Sequence, residues 1–209
     1  MKKLAFLLGL SALLALPFTA AYGEPATGTY QLVTPPQPTK TGDKIEVMEI
    51  FWFGCPHCFH FEPILNKWRK HLPEDVQFRY MPGVFRKNWV PGARAFYTAR
   101  VLDVDDKVHE AIFNAIHLEH RRLYTEDSFA DVFAANGVSR EDFDKAWNSF
   151  TVENEVREAM QMSRKYGISG VPSIIVNGKY RTSASLTGSY EDMLKVVDQL
   201  IDKERAATD

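Results

Sequence analysis

The chain has 209 residues, 45% hydrophobic and 25% charged, an ordinary globular mix with room for one large or two small domains. Its 25 basic and 27 acidic residues leave a formal charge of −2. That balance excludes the basic stripe expected of a nucleic-acid binder and makes no positive statement about partners.

Residues 1–23 read as an export signal rather than as fold. Lys2 and Lys3 give a positive start and Leu4 to Leu16 an apolar run. Thr19-Ala20-Ala21 and Ala21-Tyr22-Gly23 both offer the small residues that a signal peptidase reads. The run is too short for a transmembrane helix, which needs about 20 apolar residues. Cleavage removes two lysines and takes the formal charge from −2 to about −4. An exported protein works in an oxidising compartment, and this short lysine-led signal suits the bacterial periplasm.

Glu24 to Lys44 is rich in Pro, Thr and Gly, with a short edge strand predicted at Tyr30–Val33 before Pro35-Pro36. Ile45–Phe53 is the clearest strand. Only Glu46 and Glu49 interrupt its apolar run, the pattern of a sheet covered on both faces. Gly54 ends it. A helix is predicted to start at Cys55-Pro56-His57-Cys58, with Phe61, Ile64, Leu65, Trp68 and Leu72 on its buried face, a kink at Pro63 and an end by Pro73. Val76–Met81 is a second core strand closed by Pro82-Gly83, which completes a strand–helix–strand unit with both cysteines at the strand-to-helix turn.

From about Val90 to Tyr166 strand signals vanish and four helical patterns follow one another. They are marked by Ala93, Phe96, Tyr97 and Val101; by Val108, Ile112, Phe113 and Ile116; by Phe129, Val132 and Phe133; and by Phe143 and Trp147. Asp103, Thr125, Ser139 and Thr151 are candidate caps or turn residues, and Asn136-Gly137 is a helix stop. This reads as an all-helical block set inside a strand framework, because strands then resume. Gly167–Pro172 is a turn, Ser173–Val176 a strand, Asn177-Gly178 a hairpin turn, and Tyr180–Ser183 the return strand. Ser189 caps a last helix with Met193, Val197, Leu200 and Ile201 on its apolar face, and the charged tail from Asp202 is expected to fray.

The chemistry concentrates in Cys55-Pro56-His57-Cys58, which holds both cysteines of the chain. At a helix start the first sulfur faces unsatisfied backbone N–H groups, which favour its thiolate. Cys58, one turn on, is the more buried internal partner. His57 between them favours the Cys55 thiolate further, and Pro56 stiffens a position that needs no N–H. Stabilising the thiolate stabilises the reduced form and makes the disulfide a stronger oxidant. A purely structural disulfide is disfavoured because so short a loop gives little cross-link entropy. Zinc is disfavoured because it needs about four ligands and there is no second Cys pair. No metal and no cofactor are therefore expected, and thiol–disulfide exchange with another protein's cysteines is the favoured reading.

Glu49 shares a strand face with Val47 and Phe51, so its carboxyl points into apolar surroundings that raise its pKa. Six residues before Cys55, it is a candidate to exchange protons with Cys58. On residue type alone Val171-Pro172 is an ordinary loop end in the trans form. His117 and His120, beside Glu119, read as an exposed helix face rather than a metal pair, and His60, His71 and His109 have no partner pattern. Trp52, Phe53 and Phe59 flank the cysteine motif as core, with some bordering a surface for unfolded peptides.

These residues together resemble the DsbA family of bacterial periplasmic thiol–disulfide oxidoreductases. The match rests on the export signal, on Glu49 upstream of Phe53-Gly54-Cys55-Pro56-His57-Cys58, and on Glu62 just after it. It rests also on the helical insertion, and on Gly170-Val171-Pro172 followed by Val176-Asn177-Gly178-Lys179-Tyr180. It spans essentially the whole mature chain. The resemblance implies an α/β thioredoxin fold with an inserted all-helical domain. Residues 24–88 and 167–209 would be the two parts of the thioredoxin-like domain and residues 89–166 the insertion. It implies a cis Val171–Pro172 bond beside the redox-active Cys55–Cys58 disulfide, with Val171 backbone groups pairing to a substrate strand. Glu49, Glu62, Pro56 and His57 fall on the family's tuning positions. Its buried basic residue near the site is matched by neither Lys70 nor Arg79. Implied partners are reduced exported proteins and a DsbB-like quinone-linked membrane oxidase, and the implied state is a monomer. A disulfide isomerase of the DsbC or DsbG kind is set aside, because about 20 residues before the first strand leave no room for its dimerisation domain.

Overall fold

The computed structural model describes residues 25–207, so the export signal expected over residues 1–23 lies outside the described residues. Five strands form one mixed sheet: β1 (Gln31–Leu32), β2 (Ile45–Phe51), β3 (Val76–Pro82), β4 (Ser173–Val176) and β5 (Tyr180–Thr182). Their order is β1-β5-β4-β2-β3, with β2 and β3 parallel and the other neighbours antiparallel. Every residue of β2 is buried, as its near-continuous apolar run requires. The crossover from β2 to β3 is helix α1 (Pro56–Arg69), which continues through Pro63. The β4–β5 hairpin turns on Asn177 (φ 49°) and Gly178 (φ 65°), the left-handed pair that a two-residue turn demands.

Five helices stand between β3 and β4: α2 (Val90–Val101), α3 (Asp105–His117), α4 (Glu126–Ala135), α5 (Arg140–Trp147) and α6 (Phe150–Lys165). The short α7 (Ala184–Thr187) and the long α8 (Tyr190–Ala206) complete the chain. The side chains of β2 divide between two cores, by alternation along the strand except for Phe51 at its end, which joins the core of Met48 and Ile50. Val47 joins Phe61 and Leu65 of α1 and Met193, Val197 and Leu200 of α8. Met48 and Ile50 join the core built from α2, α3 and their successors. This is the α/β thioredoxin fold with inserted helices that the sequence led us to expect. Among the described residues no helix is long and apolar enough to cross a membrane.

Several local expectations hold for the expected reasons. Thr125 and Ser139 cap α4 and α5 by accepting the Ser128 and Asp142 N–H groups, and Ser189 caps α8 on Asp192. Others need correction. The helical block contains five helices, not four, because Ser149 rather than Thr151 caps the sixteen-residue α6. Val101, expected on a buried face, is 45% exposed. The tail beyond Asp202 does not fray before Ala206. Glu204 is buried and takes hydrogen bonds from Asn177 and Lys179 of the β4–β5 hairpin, and Arg205 grips Asp75 through two bonds of 2.6 and 2.9 Å. Long-range pairing of this kind leaves no local signature in a charged segment.

The ring of Phe51 joins the two parts of the structure. Its centroid lies 5.0 Å from Phe53, 5.6 Å from Tyr80 on β3, 5.4 Å from Phe96 on α2 and 6.0 Å from Phe113 on α3. We expect Phe51→Ala to lower unfolding stability by about 3–5 kcal/mol, read as a shift of the urea midpoint. Glu204→Ala, which removes the shared acceptor of Asn177 and Lys179, is expected to cost about 1–3 kcal/mol and to raise amide exchange in the last turns of α8.

Candidate active site

Cys55 is the N-cap of α1, with extended backbone (φ −91°, ψ 115°) and Pro56 at the first helical position. Its N–H donates to the Trp52 carbonyl at 2.9 Å, which closes the turn between β2 and α1. The predicted strand therefore stops at Phe51, and Trp52 to Gly54 make the bend. Gly54 is required there. A Cβ would come within 2.3 Å of the Trp52 ring, which is stacked on Trp89 at 4.3 Å and cannot swing away freely.

The two sulfurs have opposite surroundings. Cys55 is 7% exposed and Cys58 fully buried. The Cys55 thiol is brought down from the ordinary 9.0 to about 6, first by a hydrogen bond from the Cys58 S–H. Burial opposes this, and the first-turn N–H groups of Cys58 and His57 and the charge of His57 assist it. The first turn carries no acidic side chain to counter the effect. Cys58 is pushed well up, by burial first, then by its bond to Cys55 and the negative field of Glu49. One group is thus suited to exist as thiolate near neutral pH and the other to hold its proton.

The remaining walls come from distant parts of the chain. Val171–Pro172 is cis, as the resemblance implied, and the Val171 carbonyl lies 3.5 Å from Cys55 Sγ, 116 residues away in sequence. His57 is exposed, and Tyr190 of α8 donates to its carbonyl at 3.1 Å. His57, Val171, Pro172, Tyr190, Gly170 and Ser183 help line a cleft of about 350 Å³ beside the cysteines. An extended peptide passing along it would meet the backbone of Val171 next to Cys55.

Beneath the cysteines lie a buried acid, Glu49, and a partly buried one, Glu62. Glu49 is wholly buried, and neither carboxyl oxygen has a hydrogen-bond partner. Burial raises its pKa well above the usual carboxylate range, with the charges of Glu62 and Cys55 adding to the effect and Arg69 partly offsetting it. Glu62 is held by its neighbours: Oε2 accepts from Tyr80 at 3.1 Å and from Asn66 at 3.3 Å, and Oε1 lies 3.1 Å from His109 Nε2. The cation whose field reaches Glu49 is Arg69. Arg79 instead pairs with Glu46 at 2.8 Å, and Lys70 is exposed.

Sequence reasoning passed over two histidines. His117 is not on an exposed face. Its Nε2 lies 2.8 Å from the Phe53 carbonyl, and its ring stacks on Phe59 at 4.8 Å. His109 is buried among Phe51, Phe53, Tyr80 and Phe113. The spacing 109, 113, 117 sets both on the face of α3 that carries the buried Phe113, the one signal that could have found them. His120 is exposed, and among the described residues no group of three or more His, Cys, Asp or Glu could hold a metal.

Comparison with known proteins bears on the whole chain. The model of the DSBA-like thioredoxin domain matches residues 74–196, from the loop before β3 into α8, which leaves the cysteine motif outside the matched stretch. The thiol:disulfide interchange protein DsbA of Pseudomonas aeruginosa is 42% identical over 178 residues, 85% of this chain and 84% of that protein. The DsbA of Pseudomonas syringae pv. tomato is 41% identical over 203 residues, 97% of this chain and 92% of that protein. Among solved structures, Pseudomonas aeruginosa DsbA superposes with a TM-score of 0.83 at 41% identity, covering 87% of this chain and 94% of that one. The oxidoreductase DsbA from Xylella fastidiosa gives 0.82 at 35% identity, covering 88% and 100%. With the paired thiols at the start of α1 and the cis-proline wall beside them, these matches establish that the chain belongs to the DsbA family of thiol:disulfide oxidoreductases.

Proposed function

We propose that the chain oxidises pairs of thiols in newly exported proteins by donating a Cys55–Cys58 disulfide. The observation that carries this reading is the asymmetry of the two thiols at the start of α1. A sulfur that is content as thiolate is a good leaving group, and its stability as thiolate favours the reduced enzyme, so electrons flow from substrate to protein. A substrate thiolate attacks Cys55 Sγ, the S–S bond breaks, and its electron pair leaves on Cys58 Sγ. Glu49 supplies a proton to Cys58. The substrate's second thiolate then attacks the substrate sulfur of the mixed disulfide, and Cys55 leaves as thiolate. Two substrate thiols become one disulfide, and the enzyme holds the two electrons as a dithiol.

Pro56 and His57 tune Cys55, Glu49 and Glu62 serve the proton of Cys58, and Val171 with Pro172 receives the substrate strand. The cleft beside His57 supports that last role, since Gly170, Val171 and Pro172 line it together with His57 and Tyr190. A DsbB-like quinone-linked membrane partner takes the two electrons and restores the disulfide. The protein works as a monomer in the periplasm, after removal of residues 1–23. Residues 24–88 with 167–209 form its redox domain and 89–166 the helical one. No metal or cofactor takes part.

Two experiments test this reading. With a reduced, unfolded two-cysteine substrate, Cys55→Ser should abolish oxidation. Cys58→Ser whose Cys55 has first been converted to a mixed disulfide with a small disulfide reagent should exchange it for the thiol of a one-cysteine substrate and stay trapped as a Cys55 mixed disulfide, resolved by non-reducing electrophoresis. Full activity in Cys55→Ser would overturn the mechanism. The second follows pH. Alkylation of Cys55 in the reduced protein should rise through a midpoint of about 6. Because that pKa is lowered on folding, the stability it lends to the reduced form is complete above the ordinary 9.0 and is lost as pH falls through about 6. Unfolding of oxidised and reduced protein at a series of pH values should therefore show the advantage of the reduced form shrinking on acidification.

A further inference from the structure

Each turnover of the proposed cycle moves one proton onto buried Cys58 and, on reoxidation, off again. Glu49 is sealed from solvent, so it must itself be recharged from somewhere. The described structure offers a specific route. Glu49 on β2 is the register partner of Tyr80 on β3, and Tyr80 donates its hydroxyl to Glu62 at 3.1 Å. Glu62 meets His109 Nε2 at 3.1 Å, and the His109 ring lies 4.5 Å from that of Tyr80. Glu62, Tyr80 and His109 all line a groove of about 580 Å³ between α1 and α3, which Glu49 does not line. The buried polar atoms left without partners on and beside this route are both oxygens of Glu49, Oδ1 of Asn66 and Nδ1 of His109. A buried imidazole that keeps one nitrogen unengaged, with the other on a carboxyl group, costs stability without giving a second hydrogen bond. It has the form of a proton carrier, a ring with one nitrogen on a carboxyl group and the other unengaged.

We propose that His109, acting through Glu62, is the outlet by which Glu49 exchanges protons with the groove between α1 and α3. His109 is a positioning and relay residue; it does not touch the sulfurs. In the reducing direction the S–S electron pair arrives on Cys58 Sγ, which takes the Glu49 proton. Glu49 is recharged from Glu62, Glu62 from His109, and His109 from water in the groove. Reoxidation runs the same transfers backwards, so protons balance over the cycle. The Tyr80 hydroxyl is pushed far up by burial and by the Glu62 charge, so it stays protonated and keeps Glu62 aimed. The other charged or titratable groups facing this route are Cys55, Cys58 and Arg69 at and along α1, Tyr190 of α8, and, lining the groove, His60 of α1, Lys70 at its end, and Asp105, Asp106 and Glu110 of α3.

The inference rests on the thiol-oxidase reading, and one experiment separates the two. Oxidised full-length protein is mixed with excess dithiothreitol and its single-turnover reduction is followed by tryptophan fluorescence, in water and in deuterium oxide, from about pH 5 to 8. His109→Gln keeps a donor toward Glu62 without titrating, and His109→Ala opens room for added imidazole. Both are expected to slow the reaction about tenfold or more, with a larger solvent isotope effect and a flattened pH profile. Imidazole is expected to restore His109→Ala, increasingly so where both its protonation states are populated, and to leave His109→Gln unchanged. Wild-type rates and isotope effects in both variants would overturn the relay. So would slow variants whose isotope effect is unchanged and which imidazole does not rescue, because that is the mark of a structural role. The thiol-oxidase reading is judged separately, by whether wild type reacts at all and Cys55→Ser does not.

Discussion

The sulfur of Cys55 sits where β2 hands the chain to α1, and the hydrogen bonds it receives there organise the rest of the molecule. The Cys58 S–H and the free N–H groups of the first turn make the thiolate comfortable in a site that is otherwise apolar. Burial alone would push both thiols up. The helix N-terminus reverses this for the first sulfur and cannot for the second, which lies inside the turn. A single structural fact, one cysteine at the cap and one within the helix, thus gives two thiols with opposite tendencies.

Holding that cap in place takes support from four directions. Trp52 stacked on Trp89 closes the bend before it, and Gly54 leaves room for the ring. Tyr190 of α8 binds the carbonyl of His57. His117 of α3 reaches the Phe53 carbonyl. The Val171 carbonyl faces the sulfur itself. Each contact is worth little by itself, on the order of 1 kcal/mol. Their value lies in satisfying the backbone of a tight turn while leaving the sulfur reachable from the cleft at Val171.

The same economy of polar groups explains the acids below. A carboxyl as deeply buried as Glu49 persists only in its neutral form or with a partner. The cation whose charge acts on it, Arg69, lies across the rings of Phe78 and Tyr80. Glu62 by contrast is fully engaged by Tyr80, Asn66 and His109. One acid is buried with its proton favoured, the other is a connected polar group at the edge of a groove. The helices inserted between β3 and β4 supply His109 beside Glu62 and His117 on the Phe53 carbonyl, so they contact the site as well as covering it.

Local physics is legible in local sequence, and much here is local. The unbroken apolar run of β2, the cysteine pair at a strand-to-helix turn, the Asn177-Gly178 hairpin and the Ser and Thr caps each depend on a few neighbouring residues, so their residue types alone determined them. Glu49 was readable as buried because strand parity put it with Val47 and Phe51. Other features depend on contacts between segments far apart in the chain. Arg69 rather than Lys70 or Arg79 serves Glu49, because α1 twists one and not the other toward the sheet. Arg79 is spent on Glu46 across the opposite face. His109 and His117 looked like stray polar residues until α3 was laid over the cysteine turn. The tail beyond Asp202 looked free until Glu204 met the hairpin. Residue type and spacing determined the thiol chemistry; only tertiary packing decided which buried groups stand next to it, because burial and proximity are properties of the assembled core and not of any one segment.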